Sequence, residues 1–116
     1  MTVALPSGLE LARLDALPDP GAIVVRVCAD DAWGALILTR RGETISAFRN
    51  KCPHAGYPLQ RGDGRVVVQE GRFIVCAAHG ASFGLTDGLC AGGPCNNGDA
   101  LERIAIVIRD GIIRVA

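Results

Sequence analysis

Leu101-Glu102-Arg103-Ile104-Ala105-Ile106-Val107-Ile108-Arg109-Asp110-Gly111-Ile112-Ile113-Arg114-Val115 is the clearest structural signal in the chain. Branched apolar residues crowd both sides of Asp110-Gly111. Asp-Gly tolerates positive φ at both central turn positions, and that backbone twist matches the twist of two flanking strands. The stretch therefore predicts a β-hairpin, Leu101 to Ile108 against Ile112 to Val115, closed by a two-residue type I′ turn.

The same pattern extends toward the N-terminus. Val66 to Gln69 and Arg72 to Val75 read as two strands around Glu70-Gly71. Ala22 to Val27 and Trp33 to Thr39 are strand-like, and Thr44 to Phe48 returns as a partner after a hairpin tip at Arg41-Gly42. A short alternating run, Glu10 to Leu14, leads into Leu17-Pro18-Asp19-Pro20-Gly21, whose prolines and glycine mark a turn. No segment holds a helical period over ten residues, and there is no internal repeat. Many short strands predict an all-β fold, an antiparallel sandwich or partly open barrel.

Two stretches break the pattern. Asn50 to Gly64 holds two prolines and three glycines, and Ala77 to Gly98 is again Gly-rich, with one short extended piece near Ser82-Phe83. Loops this long in a compact domain need a structural reason, and a bound metal centre is one.

Composition narrows the function. The 116 residues suit one domain over 1–116, with a small subdomain at about 50–98 built from the two loops. Hydrophobic residues make up 49% and charged residues 21%, which is globular composition. Twelve Lys plus Arg balance twelve Asp plus Glu, so there is no basic surplus to bind nucleic acid. No apolar run of membrane-spanning length occurs, and Met1 to Glu10 does not read as a secretion signal. The expected location is cytoplasmic, where clustered Cys and His suggest metal before disulfide. The five cysteines are an odd number, and each of the two histidines lies within three residues of a cysteine.

The first loop holds Cys52-Pro53-His54, and the second opens with Cys76-Ala77-Ala78-His79. Twenty-one residues separate His54 from Cys76. Two thiolates and two imidazoles can hold a tetrahedral zinc ion. They can equally hold a [2Fe–2S] cluster, with the cysteines on one iron and the histidines on the other.

Cys52-Pro53-His54-Ala55-Gly56, Cys76-Ala77-Ala78-His79-Gly80 and Gly92-Gly93-Pro94 resemble the Rieske iron–sulfur proteins, in particular the small Rieske-type ferredoxins. The resemblance runs from the Leu14 to Pro20 turn to the Asp110-Gly111 hairpin. It implies one Rieske-type [2Fe–2S] cluster per chain, with Cys52 and Cys76 on one iron and His54 and His79 on the other. Gly92, Gly93 and Pro94 would form a loop covering the cluster. It further implies that His54 and His79 turn their outer nitrogens to solvent, so that the potential falls as pH rises through their coupled titration.

The charge count suits this ligand set. Two ferric ions, two sulfides, two thiolates and two neutral imidazoles sum to zero, and one electron makes −1. A four-cysteine cluster would go from −2 to −3, which costs more in a low dielectric. Histidine ligation thus raises the potential into a range of roughly −150 to +300 mV. High-potential members of the family bridge their two cluster loops with a cysteine pair, where this chain has Tyr57 and Ala78. They also carry a serine after His-Gly and a tyrosine two residues later, where this chain has Ala81 and Phe83. Without those hydroxyl donors the expected potential is about −150 to −50 mV. The spacer between His54 and Cys76 is a few residues longer than usual, with the extra length assigned to Gly62 to Gly71.

Cys90 and Cys95 flank Ala91-Gly92-Gly93-Pro94. A disulfide that stiffens the covering loop and a pair of reduced thiols both fit that spacing. Cys28 reads as a small buried apolar residue. Trp33 and Phe73 read as core anchors. Tyr57, Pro58 and Leu59 read either as an apolar rim for docking or as a shield that keeps water from the cluster. Arg61, Asp63 and Arg65 read as a solvated loop.

These features point to an electron-transfer protein rather than an enzyme. The resemblance implies redox protein partners: a reductase as donor, and a terminal oxygenase of the aromatic-ring dioxygenase type or a similar oxidoreductase as acceptor. No nucleic acid, membrane or small-molecule substrate is expected. A small Rieske subunit held in a larger assembly such as a nitrite reductase is the second reading, and a zinc-binding interaction module is the third.

Overall fold

The computed structural model describes residues 7–26, 35–50, 59, 65–76, 80–93 and 99–116. Among these residues there are ten strands and one short 3-10 turn at Leu14–Ala16. They are β1 (Glu10–Arg13), β2 (Gly21–Arg26), β3 (Ala35–Arg41), β4 (Thr44–Arg49), β5 (Val67–Gln69), β6 (Phe73–Val75), β7 (Ser82–Gly84), β8 (Cys90–Gly92), β9 (Ile106–Arg109) and β10 (Ile112–Val115). They form three antiparallel sheets, ordered β1-β10-β9, β2-β3-β4 and β5-β6-β7-β8. None closes into a barrel, so the expected all-β, sandwich-like architecture holds in its open form.

The sheet β2-β3-β4 is the middle layer. Leu36 and Leu38 of β3, with Ala47 of β4, pack with Leu11, Ile113 and Val115 from the sheet β1-β10-β9. Ile37 and Phe48 point to the other face and pack with Ile74, Phe83 and Leu85 from the sheet β5-β6-β7-β8 and its turn. Alternation along a strand sends successive side chains to opposite faces, so a strand covered on both sides must be apolar throughout. That is why Ala35 to Thr39 is buried at every position.

Local turn chemistry sets the hairpins. Asp110 and Gly111 take φ values of 53° and 74°, and Arg109 pairs with Ile112. The expected type I′ turn is therefore present. Glu70 and Gly71 also take positive φ, and the Arg72 N–H donates to the Gln69 carbonyl at 3.0 Å. The β3–β4 tip falls one residue later than expected, at Gly42-Glu43, because Arg41 still pairs with Thr44.

Three expectations change. Leu101 to Ile108 is not one strand, since only Ile106–Arg109 pairs with β10. The residues before it instead meet β4. The Arg49 N–H donates to the Glu102 carbonyl at 2.8 Å, the Ile104 N–H donates to the Ala47 carbonyl at 2.9 Å, and Phe48 bridges Arg103. The Gly-rich stretch after Ala77 holds a second strand, β8, which pairs with β7. Cys-Ala-Gly has little intrinsic strand preference, so that pairing comes from its neighbour. Phe73 is half-buried beneath the Arg72 guanidinium, 5.5 Å from its ring centre, and the aromatic core is Phe48 and Phe83 instead. Cys28 and Trp33 lie outside the described residues.

Candidate metal centre

Of the four sequence-predicted ligands, Cys76 is described; Cys52, His54 and His79 lie outside the described residues, as do Pro94 and Cys95. Among the described residues no three metal-ligating side chains come together.

Cys76 follows directly on β6, whose short ladder with β5 and β7 holds it at the edge of the core. The Cys76 N–H donates to the Ala81 carbonyl at 2.7 Å, and the Gly80 N–H donates to the Cys76 carbonyl at 2.8 Å. These two bonds join Cys76 to Gly80 and Ala81, from which the chain enters β7. Gly80 makes this reversal at φ 79°, a conformation that suits glycine. The Cys76 thiol is free of disulfide and only 1% exposed. It packs with Ile37, Phe48, Leu59, Ile74, Ala81 and Phe83.

The expected covering loop starts from β8. Gly92 pairs with Ser82, and Gly93 then turns at φ 79°. A Cβ on Gly93 would stand 2.6 Å from the Gly80 carbonyl oxygen and 2.8 Å from the Ala81 Cα. Gly93 thus lies backbone to backbone on Gly80 and Ala81, an approach open only to glycine. Cys90 is disulfide-bonded, and its partner lies outside the described residues. The Cys90 N–H donates to the Asp99 carbonyl at 2.8 Å, which ties β8 to the chain beyond the loop.

The first loop is anchored at its base. Asn50 directly follows β4, and its N–H donates to the Ala35 carbonyl at 3.0 Å. Its carboxamide oxygen accepts the Leu59 N–H at 2.8 Å, and both residues are buried. Leu59 is wholly enclosed and sits in the same core as Cys76. Leu59 is therefore no part of an exposed docking rim; Tyr57 and Pro58 are outside the described residues. Arg65 is exposed, as expected of a solvated loop, while Arg61 and Asp63 are outside the described residues.

Asn50 was not singled out from the sequence. Its signal is its type and place: an Asn beside a Cys-x-His loop bonds readily to nearby backbone N–H groups. Beside it, Arg49 is nearly buried, and its Nε donates to the Glu102 Oε2 at 2.8 Å. Among the described residues, no buried side-chain polar atom lacks a hydrogen-bond partner.

These residues suit an iron–sulfur cluster. A free thiol is held out of water at Cys76, and Gly93 lies against Gly80 and Ala81 close by in the chain. The paired Cys-x-His and Cys-x-x-His sequences supply soft and borderline donors.

Known proteins are similar to this chain. The Rieske [2Fe–2S] domain family model matches residues 9–108. Over 56 residues the chain is 38% identical to apoptosis-inducing factor 3 of Mus musculus, a stretch that is 48% of this chain and 8% of that protein. The human protein of the same name matches to the same extent. The ferredoxin of carbazole 1,9a-dioxygenase from Nocardioides aromaticivorans IC177 superposes with a TM-score of 0.72 at 23% identity, covering 96% of this chain and 98% of that one. A chain from the complex of reduced oxygenase and oxidized ferredoxin in carbazole 1,9a-dioxygenase superposes with a TM-score of 0.72 at 22% identity, covering 93% and 91%. At these identities the likeness to the solved structures is one of fold.

Proposed function

This chain belongs to the Rieske [2Fe–2S] domain family and carries a Rieske-type [2Fe–2S] cluster, and from that premise we propose a one-electron carrier between a reductase and a terminal oxygenase or similar oxidoreductase. In this reading Cys52 and Cys76 hold one iron, and His54 and His79 hold the other. The observation that carries it is Cys76, a buried thiol outside any disulfide at the start of the closed 76–81 loop. The bound cluster supplies a site that gains and loses one electron.

The chain's own residues supply the setting. Leu59, Ala81 and Phe83 pack around Cys76 and exclude water from its thiol. Low surrounding polarity makes each added charge costlier. Ala81 and Phe83 are fully buried and carry no hydroxyl, which favours the low end of the Rieske range, about −150 to −50 mV. The Cys90 disulfide stiffens the covering loop, and Cys95 is the partner its spacing favours.

The acceptor is taken as an oxygenase of the aromatic-ring dioxygenase type because the solved ferredoxins of like fold belong to carbazole 1,9a-dioxygenase. A cytoplasmic location fits such a partner. Among the described residues, no helix is long and apolar enough to cross a membrane. A second reading, a Rieske unit inside a larger reductase of the nitrite-reductase kind, is favoured by one observation. The matched stretch is 8% of the much longer apoptosis-inducing factor 3.

Visible and low-temperature EPR spectra test the proposal, with iron, sulfide and zinc counted on one anaerobic sample. Two irons, two sulfides and a Rieske signal on reduction are expected. A colourless protein holding one zinc would overturn it.

A further inference from the structure

We propose that Asn50 is the positioning residue of the first cluster loop, acting through the Leu59 backbone. The inference rests on the ligand set proposed above. Asn50 and Leu59 bracket the eight residues 51–58, which include both Cys52 and His54. One side-chain bond, Leu59 N–H to Asn50 Oδ1 at 2.8 Å, joins the two ends of that stretch.

Both ends of the bond are firmly mounted. Asn50 is 1% exposed and continues β4 by donating its N–H to the Ala35 carbonyl. Its neighbour Arg49 is held from the other side by the Glu102 carbonyl and carboxylate. Leu59 is enclosed in the core that also holds Cys76. The clamp therefore refers the first loop to the same packed body that fixes the first residue of the second loop. Two loops must share one rigid frame if their ligands are to meet a single cluster, since small misplacements of a ligand are costly.

An amide suits this place better than the alternatives. Its oxygen accepts the buried Leu59 N–H, which would otherwise lose its partner away from water. A leucine or alanine at position 50 would fill space without accepting the N–H.

The test compares Asn50→Ala and Asn50→Asp with the wild-type chain, all loaded with the cluster. Deuterium exchange of the peptide spanning Leu59, EPR line positions and the rate of cluster loss to a chelator are measured on each. Asn50→Ala should speed exchange at Leu59 and cluster loss by about tenfold, the factor that ~1.4 kcal/mol gives, and should move the EPR lines. Asn50→Asp, which keeps an acceptor oxygen in place, should exchange and lose its cluster near the wild-type rates.

Faster exchange in Asn50→Ala with unchanged EPR lines and unchanged cluster loss would make the bond merely structural and overturn the proposal. Unchanged exchange would overturn it as well. If Asn50→Ala does not fold, rapid cluster loss from a folded Asn50→Asp protein would do the same. A wild-type chain that binds zinc and no cluster defeats the electron-carrier reading instead, and the exchange comparison on that protein still reads the clamp.

Discussion

Gly93 lies on the Gly80 peptide so closely that a Cβ on Gly93 would stand 2.6 Å from the Gly80 carbonyl oxygen. Both glycines take φ of 79°, and Gly80 directly follows His79 in the chain. The contact joins the segment after β8 to the loop after β6, backbone against backbone. Neither side has a flexible side chain that could give way.

Gly93→Ala should therefore pay twice, once for positive φ and once for the clash, about 2–4 kcal/mol in all. Gly111→Ala is the control. It has φ of 74° but open space around the new methyl group, so about 1 kcal/mol is expected. Thermal unfolding of both variants checks the difference. Equal losses would show that the close approach at Gly93 carries no energy.

Gly88 has the same relation to a core ring. Its Cβ would stand 2.6 Å from the Phe48 Cε1 at φ 70°. Gly88→Ala should destabilise by about 2–3 kcal/mol. In a Phe48→Leu background the added cost should shrink to the φ term, about 1 kcal/mol. A double-mutant cycle from denaturant unfolding reads this coupling, and strict additivity would refute it.

Arg49 is nearly buried, while its carboxylate partner Glu102 is half-exposed. Removing the acceptor should cost more than a surface ion pair does. Glu102→Ala should lower stability by about 1–2 kcal/mol, with Glu102→Gln losing less because its amide oxygen still accepts. A change within about 0.3 kcal/mol for Glu102→Ala would place the pair among ordinary surface bridges.

The resemblance to Rieske proteins implies that Ala81 and Phe83 stand where high-potential members carry hydroxyls. Both are fully buried. Ala81→Ser and Phe83→Tyr should each raise the midpoint potential, by about 60 mV for every ~1.4 kcal/mol by which the new donor favours the reduced state. Redox titration of the two variants measures the sign directly. A fall in both would contradict the donor argument.

Cys90 is disulfide-bonded, whereas Cys76 is free. Under denaturing conditions without reductant, an alkylating agent should leave Cys90 and Cys95 unmodified, and both should be labelled after reduction. Cys90→Ser with Cys95→Ser should keep the Rieske EPR signal, because neither is a proposed ligand. Loss of that signal would show that the cluster depends on this cysteine pair.

Much of the architecture was legible in the chain because it depends on neighbours in sequence. Asp110-Gly111 made its turn from intrinsic φ preference, and the strand read at Trp33 to Thr39 contains the apolar run Ala35 to Leu38. The ligand spacing, Cys52-x-His54 and Cys76-x-x-His79, is also a local pattern. Such features need no partner to be recognised.

What tertiary structure decided depends on pairs far apart in the chain. Nothing local makes Cys90-Ala91-Gly92 a strand; pairing with β7 does. Nothing local draws Glu102, Arg103 and Ile104 away from β10, but Arg49, Phe48 and Ala47 offer them hydrogen bonds at the end of β4. Burial of Leu59 and its bond to Asn50, and the fit of Gly93 on Gly80, likewise exist only once separate loops meet. Sequence determined which atoms could ligate and which turns could form, because both follow from residue type and spacing. Folding decided what frames those atoms, because packing and hydrogen-bond partners are settled between elements rather than within them.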